Sequence, residues 1–211
     1  MRKIFTLIAA VLLMAACGSK QENIQTNSNP QTTKTMDFLE MTKQRYSERY
    51  FDPSKPVEQA KLDRILEAGR QAPTAANMQP QRFYLLRSPE VLKKVEDACF
   101  SRLYGAPVAV LVCYDLDSTW HNNRETLLPN YNSGEQDCAI AATQMMYAAE
   151  EQGVHTIWIR GFDARAIQQA LDLPATMIPA MILPLGYPNE NSTPAPMHYK
   201  RKPMDEFVTE L

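Results

Sequence analysis

The chain has 211 residues, of which 45% are hydrophobic and 22% charged, and its formal net charge is -2. This composition is typical of a globular protein with one sizeable domain, and the length excludes two large ones. A nearly neutral chain gives no electrostatic support for nucleic-acid binding, and the three scattered histidines lack the spacing of a zinc motif.

The N-terminus has the pattern of a signal peptide. Two basic residues precede an uncharged apolar run, residues 4–16, that is too short to cross a bilayer comfortably. Cys17 follows two alanines, which resembles a bacterial lipoprotein signal, although Met14 stands where that pattern prefers leucine. We therefore expect residues 1–16 to be a signal peptide and Cys17 to carry the lipid that anchors an exported protein to a bacterial membrane, facing the periplasm. A plain secretory signal with an incidental cysteine is the alternative.

A polar segment separates this signal from the folded part. Residues 17–35 are rich in Asn, Gln, Thr and Ser and contain almost no apolar side chains, so they form a flexible tether rather than a folded unit. Residues 36–211 have the composition of one domain. Within it, Cys113 and Cys138 lie in apolar patterns and are expected in the core, and one disulfide among the three remaining cysteines stays open.

The domain alternates between helical and strand patterns. An amphipathic helix is predicted at 57–72, where Gly69 and Pro73 mark its end. The other predicted elements are a strand at 82–87, a helix at 88–100 with Ser88 as N-cap and Pro89 at N1, a buried strand at 107–115, a loop or short irregular helix at 120–132, a helix at 134–152, a strand at 154–159, a helix at 163–173 capped by Asp163, and a strand at 180–188. The alternation alone predicts a parallel doubly wound sheet.

Arg45, Ser47 and Arg49 occupy alternate positions in the sequence RYSERYFD. In an extended chain the three side chains point the same way, whereas in a helix Ser47 points away from the arginines. Two prolines follow closely, which excludes a long helix here and favours an extended segment. Two guanidinium groups and a hydroxyl on one side suit a phosphate. A solvated run of charge is the alternative for this motif alone.

Three later segments carry weaker signals. In APTAANMQP, the amides of Asn77 and Gln79 suit the polar edge of a flat heterocycle. In WIRGFD, Gly161 follows a strand and lets the backbone approach a ligand closely. The basic sequence YKRKP at residues 199–203 would complete a phosphate site. Taken singly, each of them is also explained by an ordinary turn or by a solvated run of charge.

Taken together and in order, these segments resemble the nitroreductase family of FMN-dependent oxidoreductases. RYSERYFD resembles its opening R-x-S-x-[RK]-x-F-[DE] element, and APTAANMQP resembles its A-P-S-x-x-N-x-Q-P element. WIRGFD resembles its strand-end element before a helix, Arg201 matches a late basic residue, and the likeness runs from about Met41 to Asp205. Gln81 stands where the family often has an aromatic residue and Arg160 where some members have an acidic one, so the substrate stays open.

The resemblance implies FMN as the cofactor and assigns the phosphate end of its site. Arg45 and Ser47 would hold the phosphate and the ribityl chain, and Arg201 would close the phosphate site from the C-terminal side. Lys200 or Lys202 is the alternative for this last role.

The resemblance also assigns the ring end of the site. Arg49 would lie near the pyrimidine edge and favour negative charge on the reduced ring. Asn77, with Gln79 in the same loop, would hydrogen-bond the ring system. The backbone around Arg160 and Gly161 would approach the reactive nitrogen. The flavin carries the hydride chemistry, so no catalytic triad or acid–base pair is required, and none is apparent.

The family fold is α+β, with a mostly antiparallel central sheet surrounded by helices. We expect this fold for the chain rather than the parallel sheet. The family also implies a homodimer with FMN between the subunits, for which the helix around 139–149 suits the interface. The implied reaction passes a hydride from NADH, NADPH or another donor to a nitroaromatic, a quinone or a similar small aromatic acceptor. A flavoenzyme with a different reaction, such as flavin fragmentation, and a lipid-anchored binding protein without redox activity are the alternatives.

Overall fold

The computed structural model describes residues 37–211 except residues 101 and 125. The signal peptide, the tether and the lipidated Cys17 lie outside these residues and stay predictions. Within the described part, the helices are all too short or too polar to span a bilayer.

An antiparallel sheet of four strands forms the centre of the described domain. The strands are β1 (Gln81–Leu86), β2 (Val108–Asp115), β3 (His155–Thr156) and β4 (Met177–Gly186), in the order β1-β2-β4-β3. All three neighbouring pairs are antiparallel, so the α+β prediction is confirmed and the parallel doubly wound sheet is wrong. The alternation fails here because a helix between two strands does not fix the end of the sheet at which the next strand begins.

Five α-helices and four short 3-10 helices occur in the described residues. The α-helices are α1 (Phe38–Gln44), α2 (Gln59–Arg70), α3 (Pro89–Asp97), α4 (Gly134–Glu151) and α5 (Ala164–Ala170). The 3-10 helices span Ala75–Asn77, Leu116–Ser118, Pro196–Tyr199 and Met204–Glu206. Both predicted N-caps are found, since Ser88 accepts from the Val91 N–H and Asp163 from the Ala166 N–H. The described residues of the stretch 120–132 form a loop, with an isolated bridge between His121 and Asn132.

The sheet lies between two apolar layers. Along β2, Val108, Val110 and Val112 contribute to one buried cluster, and the residues between them contribute to the other. The first cluster also contains side chains of α2 and α4, and the second contains side chains of α3 and α5. A strand covered on both faces reads as a continuous apolar run, which explains the valine-rich pattern of β2.

Two glycines let α4 pack closely against its neighbours. A Cβ at Gly134 would lie 2.3 Å from the ring of Tyr114, and a Cβ at Gly69 would lie 2.8 Å from Cγ of Met145. Gly69 therefore lies inside α2 as a packing residue, and the helix continues to Arg70 rather than ending at the glycine. These contacts hold α4, which is buried along most of one side, against α2 and the sheet.

The three cysteines of the described domain are free thiols. Cys113 and Cys138 are buried, as the apolar patterns predict, and the Cys138 thiol donates to the Cys113 carbonyl oxygen at 3.3 Å. Cys99 is half-buried at the end of α3. The disulfide that the sequence leaves open is therefore not formed among these residues.

Candidate functional site

The RYSERYFD segment is extended and runs beside the edge of the sheet. Arg45 follows α1 with φ -60° and ψ 123°, which ends the helix. Ser47 forms an isolated parallel bridge with Thr156 of β3, and the Glu48 N–H donates to the Thr156 carbonyl oxygen at 3.0 Å. Phe51 forms an antiparallel bridge with Pro188. The extended conformation favoured by the prolines is thus the one observed.

Glu48 holds this segment in place, a role that the sequence motif did not predict. Its side chain is fully buried. The carboxylate accepts hydrogen bonds from the N–H groups of Arg49 at 2.8 Å and Tyr50 at 2.7 Å, and from the hydroxyls of Tyr46 at 3.0 Å and Ser192 at 2.5 Å. Four donors thus satisfy both oxygens of this buried carboxyl group without an ion pair. Because Glu48 points inward from an extended segment, its neighbours Ser47 and Arg49 lie on the outward side.

Four of the predicted phosphate and ring residues border one cavity of about 270 Å³. They are Arg45, Ser47, Arg49 and Arg201. The remaining lining residues are Tyr46, Ala195, Met197 and His198. Two segments far apart in sequence therefore meet at this point, one after α1 and one near the C-terminus. Lys200 and Lys202 do not line the cavity, and Lys202 instead pairs with Glu206 at 2.8 Å.

The arginines of this cavity differ in how their hydrogen-bond donors are used. Arg49 Nη1 donates to the Ser47 carbonyl oxygen at 3.0 Å, and Arg201 Nη1 donates to the carbonyl oxygens of His198 and Lys200 at 2.6 and 2.7 Å. Nη1 of Arg45 is buried and has no hydrogen-bond partner. A buried N–H group of a cation is expected to have an acceptor, so this atom fits an anionic ligand.

Glu150 of α4 is an acidic group that lies near enough to Arg45 to interact with its charge. Burial raises the pKa of Glu150, and the nearby charges of His155 and Arg45 oppose that rise. One carboxylate oxygen of Glu150 and Nδ1 of His155 are buried without a hydrogen-bond partner. The carboxylate offsets part of the positive charge that the arginines bring to the cavity.

The loop with Asn77 has an unusual backbone. Ala76, Asn77 and Gln79 have φ values of 49°, 56° and 51°, a left-handed region that costs non-glycine residues about 1 kcal/mol or more each. The loop is fixed by side chains on both sides. The Ala75 N–H donates to Asp137 Oδ1 at 2.9 Å, and the Gln79 N–H donates to Thr74 Oγ1 at 3.0 Å. Strain of this kind is concentrated at ligand sites, so the loop is a candidate for ligand contact.

Gln79 borders a second cavity, of about 530 Å³, between α2 and β1. Its lining includes Gln81 and Phe83 of β1 and Leu66 of α2. The described chain therefore does not unite Arg45, which is predicted to bind the phosphate, and the amide loop in one cavity. Gln81 contributes an amide side chain to the lining of this second cavity.

Arg160 and Gly161 border neither of these two cavities. Arg160 Nε donates to Glu135 Oε1 at 2.9 Å, and its guanidinium lies 5.2 Å from the centre of the Phe162 ring. The Gly161 carbonyl oxygen accepts from the Phe100 N–H at 2.8 Å. A Cβ at Gly161 would make only ordinary contact with Phe100, at 3.9 Å, so the protein around it does not require glycine.

Residues 42–108 and 100–187 match the model of the nitroreductase family. A solved nitroreductase family protein from Clostridium difficile 630 is 34% identical, with a TM-score of 0.75, over 82% of this chain and 98% of that chain. The NADH dehydrogenase of Thermus thermophilus is 27% identical over an alignment of 181 positions, which covers 72% of this chain and 86% of that protein. An FMN-dependent nitroreductase from Clostridium difficile R20291 shares the fold at 23% identity, with a TM-score of 0.61 over 72% of this chain and 88% of that chain. The chain therefore belongs to the nitroreductase family.

Proposed function

We propose that this protein is an FMN-dependent oxidoreductase. It passes a hydride from a reduced nicotinamide nucleotide, or another donor, to a small aromatic acceptor such as a nitroaromatic or a quinone. The observation that carries the proposal is the buried Nη1 of Arg45, which has no protein partner and belongs to a cavity bordered by Ser47, Arg49 and Arg201. Family membership supports both the cofactor and the reaction class.

The residues of the cavity fit the phosphate end of FMN. Arg45 and Arg201 supply cationic N–H groups, and the Ser47 hydroxyl supplies a further donor, which together match the oxygens of a phosphate. Charge-assisted hydrogen bonds of this kind contribute about 1.5–3 kcal/mol each. Glu48 fixes the backbone between the donors before any ligand arrives, so little ordering is required on binding.

The proposed ring contacts lie further from the phosphate end. Arg49 would stabilise negative charge on the reduced ring, because a fixed cation beside developing charge lowers its free energy. Asn77 and Gln79 would offer amide groups to the ring from a loop already held in a strained conformation. Arg160 and Gly161 would present their backbone to the reactive edge. FMN, when bound, supplies the hydride chemistry, and these residues hold and orient it.

We further propose that the active form is a homodimer on a lipid anchor. Ile140 lies on α4 with 42% of its surface exposed, on the side of that helix that faces away from the protomer core. A second subunit covering this side would place α4 at the interface. Lipidation of Cys17 would hold the dimer at a bacterial membrane through residues 17–35. Free nicotinamide nucleotides are scarce outside the cytoplasm, so the physiological donor there would be a protein or a quinol, and NADH or NADPH would serve as the donor for the purified protein.

The visible spectrum of the full chain, purified in detergent, tests the proposal. We expect a yellow protein that releases FMN on denaturation and whose flavin absorbance is bleached by NADH or NADPH without oxygen. A colourless protein that cannot be reconstituted with FMN would refute it. Bound FMN that no hydride donor reduces would refute the reductase reaction and leave the cofactor assignment intact.

A pair of variants tests the assignment of residues. Replacing Arg45 and Arg49 with Ala should abolish flavin retention, because both cations of the extended segment are lost. Arg165→Ala is the matched control, since Arg165 is an exposed arginine of α5 outside the cavity. Unchanged FMN occupancy in the double variant would refute the flavin contacts assigned to these two arginines.

A further inference from the structure

An exposed aromatic side chain lies beside Gly161, which the proposed function assigns to the reactive edge of the flavin. Phe100 is 84% exposed, more than any other aromatic side chain of the described residues. Its N–H donates to the Gly161 carbonyl oxygen at 2.8 Å, and the neighbouring residues Cys99 and Phe162 form an antiparallel bridge. Two short segments therefore run side by side and hold an apolar ring next to an exposed glycine.

The protein itself does not require glycine at position 161. Its φ lies outside the left-handed region, unlike the φ values of Gly105 and Gly153. A Cβ at this position would make only an ordinary contact with Phe100, at 3.9 Å. A longer side chain would instead fill the space beside the Phe100 ring, so the glycine keeps that space open for a flat ligand.

Arg160 adds a cation to the same surface, and two contacts fix its side chain. Nε donates to Glu135 Oε1 at 2.9 Å, and the guanidinium lies 5.2 Å from the centre of the Phe162 ring. Its two Nη groups have no hydrogen-bond partner within the part of the chain that the structure describes, and the side chain is half-exposed. A guanidinium held at Nε and free at its outer edge can bind a carboxylate through both Nη groups.

We propose that Phe100 and Arg160 form the acceptor subsite beside Gly161, and that the acceptor is a small aromatic carboxylate. This proposal rests on the proposed function, in which the Gly161 backbone approaches the reactive edge of the flavin. The Phe100 ring covers the aromatic ring of the acceptor, and Arg160 binds its anionic group. Glu135 offsets part of the charge of Arg160, so the preference for an anion is moderate.

Isothermal titration calorimetry of the FMN-loaded full chain with benzoate and benzamide tests the subsite without turnover. The two ligands have nearly the same shape and differ in charge. The Kd for benzoate should be about tenfold lower than that for benzamide, the effect of one charge-assisted hydrogen bond. Because the cation is half-exposed, this preference should fall as the salt concentration rises from about 0.05 M to about 0.5 M.

Reduction of 4-nitrobenzoate and 4-nitrobenzamide with NADH extends the test to catalysis. Conversion of either nitro group to a nitroso group consumes NADH and one proton and releases NAD⁺ and water. The two compounds differ in intrinsic reactivity, so the measured quantity is the ratio of their kcat/KM values. This ratio is compared between the wild type and each variant.

Three variants test the charge. Arg160→Gln removes the cation and keeps N–H groups, so the preference for the anion should fall about tenfold in both Kd and kcat/KM. Glu135→Gln removes the opposing charge and should raise the preference about threefold. Arg165→Gln is the matched control, because Arg165 is an exposed arginine of α5, and it should retain the wild-type ratio.

Two variants test the aromatic ring. Phe100→Leu keeps an apolar side chain without the aromatic face, so kcat/KM should fall about fivefold for both compounds and their ratio should stay unchanged. Phe100→Tyr restores a ring and should recover both values to within about twofold. Because the side chain is 84% exposed, neither variant should change the thermal stability, so unfolding does not explain a loss.

The outcomes separate the inference from the function on which it rests. An FMN-loaded chain that reduces both compounds, with the same ratio in the wild type and in Arg160→Gln, would overturn the subsite and leave the proposed function standing. A ratio that does not rise in Glu135→Gln, or kcat/KM values that Phe100→Leu leaves unchanged, would overturn it as well. A wild-type chain that binds no FMN would refute the proposed function, and the subsite with it.

Discussion

Asp137 Oδ1 accepts a hydrogen bond from the backbone N–H of Ala75 at 2.9 Å, which ties the first turn of α4 to the strained loop that contains Asn77. The carboxylate is almost completely buried, and its second oxygen accepts from the Ser133 hydroxyl at 2.7 Å. The central helix of the fold thus positions a loop that the proposed function assigns to the flavin ring. The conformation of the loop depends on one side chain 62 residues further along the chain.

Replacing Asp137 with Ala should destabilise the protein and weaken flavin binding together. Two donors lose their acceptor, which lowers the free energy of unfolding by about 2–3 kcal/mol. Asp137→Asn keeps one carbonyl oxygen for the Ala75 N–H, so its free energy of unfolding should fall by less. Urea unfolding and the Kd for FMN check this. The control is Asp97→Ala, which removes an exposed carboxylate paired with Lys93. Equal stability of Asp137→Ala and the wild type would contradict the assigned role.

Replacing Glu48 with Ala should lower stability more than any single surface change. The N–H groups of Arg49 and Tyr50 would lose their acceptor in a buried setting, for a cost of about 3 kcal/mol. The extended segment would loosen, so FMN retention should fall even if the protein stays folded at low temperature. Thermal unfolding and flavin occupancy measure both effects.

Glu67→Ala is the matched control for this change, because Glu67 is an exposed carboxylate paired with Arg70 at 2.6 Å. Its free energy of unfolding should stay within about 1 kcal/mol of the wild type. If Glu48→Ala were as stable as this control, the carboxylate would not hold the segment.

The sequence predicts the extended segment and misses the residue that holds it. Alternation of Arg45, Ser47 and Arg49, followed by prolines, favours an extended conformation from local sterics alone. A glutamate, by contrast, is expected in solvent unless its partners are known. The fourth donor to Glu48 is Ser192, 144 residues away along the chain, and no local pattern marks it. Burial of a charge is therefore a tertiary property that the motif could not reveal.

The sheet shows the same contrast between local properties, which the sequence predicts, and tertiary ones, which it does not. The helical and strand periods identify α2 to α5 and all four strands of the sheet, because each period is a local property of the chain. The pairing of β2 with both β1 and β4 depends on where each connection ends, which composition does not encode. The resemblance to a family supplied the antiparallel sheet where alternation predicted a parallel one.

Glu150 gives a pH dependence of stability with a defined sign. Burial raises its pKa above the ordinary value of 4.5, so the folded chain holds this proton more tightly than the unfolded chain does. The free energy of unfolding therefore decreases as the pH rises from the pKa of the unfolded chain through the pKa of the folded chain. Glu150→Gln removes this loss, so its stability relative to the wild type should increase as the pH rises from about 4 to about 7.

Urea unfolding midpoints at several pH values in this range measure the effect. Glu151→Gln is the control, because Glu151 is an exposed neighbour paired with Arg64 at 2.8 Å. The difference in the free energy of unfolding between Glu151→Gln and the wild type should change little with pH. If the corresponding difference for Glu150→Gln were also independent of pH, the Glu150 carboxyl would titrate alike in the folded and unfolded chain.

The cysteines should be chemically inert in the folded protein. Burial raises the pKa of Cys99 to about 11 and that of Cys113 to about 12, and it raises the pKa of Cys138 well above the ordinary thiol range. The thiolate is the reactive form, so an aromatic disulfide reagent at about pH 8 should react slowly with the native chain. Denaturation without reductant should then release all three of these thiols to the reagent, even after exposure of the native chain to an oxidising buffer. Fewer titratable thiols among the three would mean that a disulfide forms, and rapid native reaction would place one of them in a more open and polar setting.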